Sequence, residues 1–132
     1  QKGLLSDDGY LLLSFWSPVE EQSVVQLIRI SDQKTIHEWK PEFRQLLAVH
    51  DKKIKKNRYR IFHPLLTNDG GLIFSGQSGP LIKIGLDSSI EWVVNGRFHH
   101  TKEQDVDGNV WVCGLKESDI YSRYEKRLGQ MR

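Results

Sequence analysis

Asp69-Gly70-Gly71-Leu72-Ile73-Phe74-Ser75 decides how this chain is read, because the same phrase stands on either side of it. Asp8-Gly9-Tyr10-Leu11-Leu12-Leu13-Ser14 precedes it, and Asp107-Gly108-Asn109-Val110-Trp111-Val112-Cys113 follows it. In each, Asp caps a turn with its own carboxylate, Gly supplies a positive φ at no steric cost, and a short apolar run follows. A second phrase recurs between them. Leu27-Ile28-Arg29-Ile30 with Ile36-His37-Glu38-Trp39 matches Leu81-Ile82-Lys83-Ile84 with Ile90-Glu91-Trp92. The order is kept through two full units and opens a third, the signature of a modular array.

Working outward, the first unit reads as strands over Tyr10 to Trp16, Val24 to Ile30 and Thr35 to Trp39. The second gives Leu72 to Ser75, Leu81 to Ile84 and Ile90 to Val94, and the third opens with Val110 to Cys113. The repeats run over about 6–40, 62–94 and 98–114. Asp69 to Leu81 spans 12 residues where Asp8 to Leu27 spans 19, a difference carried in loops, where arrays tolerate it. Asn95-Gly96 reads as a turn ahead of the third unit. Phe43, Leu46, Leu47, His50 and Ile54 fall at helical spacing, so an amphipathic helix is expected from 42 to about 54. Ser118 caps a C-terminal helix in which Ile120, Tyr121, Tyr124 and Leu128 share a face.

The composition bounds the possibilities. With 132 residues, 38% hydrophobic and 27% charged, the chain reads as a single globular segment, residues 1–132. Nineteen basic against 17 acidic residues leave about +2, too little to imply nucleic acid as partner. Six cations crowd positions 52 to 60, read as a solvated helix end and loop, with an anion-attracting rim as the other use. No apolar run approaches a membrane span. The chain opens on Gln1 and its single methionine is Met131, so a processed product or a piece of a longer protein is expected. Cys113 is alone, which rules out an internal disulfide, and its strand position points to packing.

Short strands, Gly/Asp turns and a unit of about 40 residues point to an all-β chain of β-propeller-type blades. Two blades and part of a third, an inserted short helix and a C-terminal helix make up this architecture. Trp39 and Trp92, at one repeated position, are expected to pack between adjacent units. Such a segment does not close a ring alone, so further blades or copies of the chain are its expected partners.

Histidine is the residue type whose placement carries chemistry. His63 follows Phe62, and His99 and His100 follow Phe98, each shortly before an Asp-Gly turn. Equivalent places in repeated units put them at one end of adjacent blades. Imidazoles there serve as nucleophile or acid–base group, and Arg97 adds a permanent charge with a bidentate fork suited to an oxyanion. Metal binding has weaker support, because adjacent His99 and His100 point to opposite sides of a strand. Neither a metal site nor a cofactor is assigned.

His63-Pro64, the Asp69-Gly70 strand, Leu81-Ile82-Lys83-Ile84, Ile90-Glu91-Trp92 and Phe98-His99-His100 running into Asp105-Val106-Asp107-Gly108-Asn109-Val110-Trp111 together resemble the arylsulfotransferase-type β-propellers over residues 24–113. The resemblance implies a six-bladed ring with a sulfate ester gripped at its axis. It further implies sulfuryl transfer from an aryl sulfate to a phenol through a sulfohistidine. By motif match His100 or His99 is the nucleophile, with His63 and Arg97 stabilising charge on the sulfuryl oxygens. A periplasmic or cell-surface location is likewise implied by the resemblance alone. The alternative is a noncatalytic propeller used for binding or assembly. The two differ in one respect: catalysis requires His63 and His100 to converge, whereas a scaffold leaves them on separate loops.

Overall fold

The first unit folds as a three-stranded antiparallel meander. The computed structural model describes residues 9 to 50 and 54 to 115. β1 (Tyr10–Ser17), β2 (Gln22–Arg29) and β3 (Lys34–Trp39) pair in sequence order. β1 and β2 pair continuously from Tyr10 opposite Arg29 to Ser17 opposite Gln22. Alternation then sends Leu12, Val25, Leu27 and Trp39 to one face, where they meet the core. The β2–β3 turn is clamped by Arg29, whose Nη2 lies 2.7 Å from Asp32 Oδ2. That hydrogen bond brings the Asp32 carboxyl down to about 2.

The connection between the sheets is less helical than its spacing predicts. α1 covers only Phe43–Ala48, and a 3₁₀ turn follows at Lys56–Arg58. Glu42 at the N-cap makes no side-chain cap bond and no acid lies in the first turn, so little local chemistry extends the helix. Packing sets the length instead: Leu46 is buried in the core, while Phe43, Val49 and Ile54 pack against it. The expected C-terminal helix lies outside the described residues.

β4 (Phe62–Leu66), β5 (Leu72–Ser75), β6 (Gly79–Ile84), β7 (Ile90–Gln104) and β8 (Val110–Leu115) form a second antiparallel sheet, again in sequence order. This sheet curls into a half-barrel. Three of its hairpins are built alike: the N–H groups of Thr67, Gly85 and Asp105 donate to the carbonyls of Gly71, Ser89 and Asn109, at 2.9, 2.9 and 3.0 Å. The fourth residue of each turn is left-handed, with φ of 82° at Gly70, 69° at Ser88 and 86° at Gly108. In the last turn the capping carboxylate belongs to Asp105, which accepts from the N–H groups of Asp107 and Asn109; Asp107 was the expected cap.

Asn95-Gly96 is a bend and not a turn. β7 runs straight through it for 15 residues. Its near part pairs with β6 and its far part with β8. The chain therefore leaves one strand and joins the next without reversing. Gly96 has a φ of 150°, and a Cβ there would sit 2.8 Å from Phe98 Cε2, so this bend requires glycine.

One apolar cluster joins the two sheets. Val25 and Trp39 from the first pack against Leu72, Phe74, Ile82 and Ile84 of the second, with Leu46, Tyr59 and Ile61 closing one side. Trp39 is 1% exposed, and its Nε1 donates to the Gly70 carbonyl at 3.2 Å, so the second unit's Asp-Gly turn seats the first unit's tryptophan. Polar bonds also cross: Ser14 Oγ donates to the Ile61 carbonyl at 2.7 Å, and the Ile61 N–H to Ser23 Oγ at 3.1 Å. Trp92 takes the analogous place beside Gly108 and Val110 in a groove but remains 37% exposed. Among the described residues no helix is long and apolar enough to cross a membrane.

Candidate functional site

The histidines sit in two bulges that begin at the same register. β4 pairs with β5 at Phe62 opposite Ser75 and resumes at Leu65 opposite Ile73. β7 pairs with β8 at His99 opposite Cys113 and resumes at Lys102 opposite Val112. Ser75 and Cys113 hold the same place in their units, so register matches Arg60-Ile61-Phe62-His63 with Arg97-Phe98-His99-His100. His63 and His100 are the first residue of each bulge, with φ of 44° and 62°. Sequence comparison on the phenylalanines shifts this match by one and hides the pairing of Arg60 with Arg97.

A left-handed conformation costs an L-residue about 1–2 kcal/mol, and bulges re-aim side chains next to sites. Strain at both histidines therefore has a measurable consequence. His63→Gly and His100→Gly should each be more stable than the matching Ala substitution by about 1 kcal/mol in urea unfolding, because only Gly adopts that φ freely. Equal stability of the Gly and Ala variants would show that the backbone is not strained.

The two bulges open onto one cleft of about 390 Å³. Phe62, His63, Gly76, Gln77, Ser78, Arg97, His99 and His100 line it, which brings all four candidate residues together. The His99 and His100 rings meet edge to face, 4.3 Å between centroids, so adjacency does not separate them as strict strand alternation predicts. Nε of Arg97 is shielded from solvent and has no hydrogen-bond partner. No acidic side chain lines the cleft, so its permanent charge is positive. Glycine seats the β5–β6 hairpin next to this cleft: a Cβ on Gly79 would lie 2.1 Å from His50 Nε2, and one on Gly76 2.6 Å from Tyr59 Cε2. These close approaches let the β5–β6 hairpin settle against the core beside the site.

Lys102 links the two bulges from behind. It is 6% exposed, and its Nζ donates to the His100 carbonyl at 3.1 Å and the Phe62 carbonyl at 3.5 Å. Burial pushes its amine down to about 8. Nothing in the uniformly polar run His100-Thr101-Lys102-Glu103-Gln104 marks this lysine as internal; only register does. Arg60, the counterpart of Arg97, turns elsewhere. Its guanidinium stacks 4.4 Å above the Trp16 ring and donates to the carbonyls of Asn57 and Tyr59. Gln77 Nε2 donates to the Arg58 carbonyl at 2.7 Å, which ties the basic turn at 56–58 to the cleft rim.

Among the described residues no group of three or more His, Cys, Asp or Glu side chains gathers as a metal site. Cys113 is exposed and not packed, contrary to its expected role as a core residue, because its face of β8 is uncovered. No family model, curated protein or solved structure matches the chain.

Proposed function

We propose that the chain is a propeller-type β-segment whose cleft binds a sulfate ester and transfers its sulfuryl group through a histidine. The observation that carries this reading is the convergence of His63, His99, His100 and Arg97 on one acid-free cleft. The strand plan supports the architecture. β4, β5, β6 and the near half of β7 make one four-stranded unit, and the far half of β7 with β8 starts another. Lys102 joins β4 to the far half of β7, which places the bulged strands side by side, as first strands around an axis would lie.

In the proposed reaction an imidazole nitrogen of His100 attacks sulfur, an N–S bond forms, and the S–O bond to the aryl group breaks to release a phenolate. The oxygen of an acceptor phenol then attacks sulfur and the N–S bond breaks. The acceptor's proton passes to a neighbouring histidine, and His100 is regenerated. Arg97 and the His63 and His99 N–H groups face the charge that develops on the sulfuryl oxygens. No nucleotide is required, since the donor's own ester bond supplies the group.

The test is release of 4-nitrophenol from 4-nitrophenyl sulfate with and without a phenol acceptor. Acceptor-dependent release that falls at least about 100-fold in His100→Ala and Arg97→Ala is expected. Folded wild-type chain that gives no acceptor-dependent release, in isolation and in its assembled form, would overturn the reaction and leave the noncatalytic binding module.

A further inference from the structure

We infer that the outer face of the first sheet and the outer face of β8 dock onto each other between two copies of this chain, head to tail. The internal repeat displays the interface in question. In the second unit, Leu72, Phe74, Ile82 and Ile84 are fully buried against the preceding sheet. Their counterparts in the first unit are Leu11, Leu13, Ile28 and Ile30. Leu11 lies opposite Ile28, so these four share one face of the first sheet, the face turned away from the core. Among the described residues no unit packs on this face, and Leu11 is 47%, Leu13 38% and Ile30 38% exposed.

The third unit shows the complementary face. Ile73 is 3% exposed and faces the next unit, lining a groove with Trp92 and Val110. Its counterpart in the third unit is Trp111, which is 67% exposed, and Leu115 on the same face is 40% exposed. Trp111, Cys113, Thr101 and Glu103 line an open groove of about 300 Å³. The trailing face of the first unit packs on the leading face of the second, and a groove repeats that order between the second and the third. Among the described residues one leading face and one trailing face are left exposed.

Those two faces differ from each other and were shown by the internal contacts to be partners in kind, so the association is heterologous. Such contacts make a ring or an open chain of copies, and not a two-fold dimer. A large exposed indole such as Trp111 is the residue type that dominates such interfaces. This inference does not depend on sulfuryl transfer in the cleft.

The test uses the full chain and two variants, Leu13→Asp and Trp111→Asp, in analytical ultracentrifugation from low to high micromolar concentration. Both substitutions are at exposed positions, and far-UV circular dichroism checks that each variant is folded. Wild type should associate as concentration rises. Each variant alone should be monomeric, with association weakened about 30-fold or more, because every contact needs one leading and one trailing face. Mixed in equal amounts the two variants should give a discrete dimer, since each carries the face the other lacks. Should Leu13→Asp fail to fold, Leu11→Lys blocks the same face. A wild-type chain that stays monomeric throughout, as it would if residues of the same polypeptide covered both faces, overturns the proposal. So does a self-associating single variant, or a mixture of folded variants that yields no dimer.

Discussion

Trp39→Ala should lower stability by about 3–5 kcal/mol, the cost of emptying a buried aromatic site that relaxes only in part. Trp39 is the largest side chain that the first sheet buries in the shared apolar cluster, and it is bonded through Nε1 to Gly70. Its removal also leaves the Gly70 carbonyl without that donor. Trp39→Phe keeps most of the apolar contact and loses the bond, so a smaller loss of about 1–2 kcal/mol is expected. Trp92→Ala provides the internal comparison. Its ring is partly exposed, so truncation there should cost no more than about 1–2 kcal/mol. Urea unfolding of the three variants decides the matter, and a Trp39→Ala chain no less stable than Trp92→Ala would mean that the sheets are not coupled through this tryptophan. Since a small domain has roughly 5–15 kcal/mol in total, Trp39→Ala should lie close to the limit of folding.

Lys102 should make stability rise with pH across an unusual window. Its amine has an ordinary value of 10.5 and is pushed down to about 8 by burial. Between those values the unfolded chain binds the proton and the folded chain has released it, so stability increases as pH rises from about 8 to 10.5. Below pH 8 both states are charged and the full cost of the buried ammonium is present, on the order of 3 kcal/mol. Other groups oppose this at higher pH. Burial raises the Tyr59 phenol, and the carboxylates of Asp69 and Glu91 raise the Lys83 amine. In both cases the unfolded chain loses its proton first, so stability falls above about pH 10. Wild type should therefore show a maximum near pH 10, whereas Lys102→Met should lack the rising limb and keep the decline. Parallel profiles for the two chains would show that the Lys102 amine is not buried. The variant also leaves the Phe62 and His100 carbonyls without their shared donor, so the His100 resonances should shift in NMR spectra if this ammonium holds the bulges together.

Much of the fold was legible where chemistry is local. The Asp-Gly turns at 69–70 and 107–108 appear as hairpins because a carboxylate bonded to nearby backbone and a left-handed glycine act within five residues, as Asp69 and Gly70 do, while Asp8 lies outside the described residues. Apolar runs such as Leu72 to Ser75 became buried strands, since both faces find neighbours. Reading failed where the outcome depended on distant partners. The helix stops at Ala48 because the core accepts Leu46 and leaves Leu47 37% exposed, a preference invisible in the spacing. Asn95-Gly96 carries a turn signature, yet the strand continues because β8 receives its far half. Cys113 resembles a core residue until the uncovered face of β8 is seen.

The candidate site divides in the same way. By itself the sequence determined that His63, His99, His100 and Arg97 stand just before repeated turns, because repetition places like residues in like positions. Only tertiary structure decided that these four share a cleft, that His63 matches His100 rather than His99, and that Arg60 turns away from the site toward Trp16. It likewise decided that Lys102 is internal. The physical reason is the bulge. An extra residue in a strand is defined by the pairing of two segments and not by either one alone, and it reverses which side chains face the cleft.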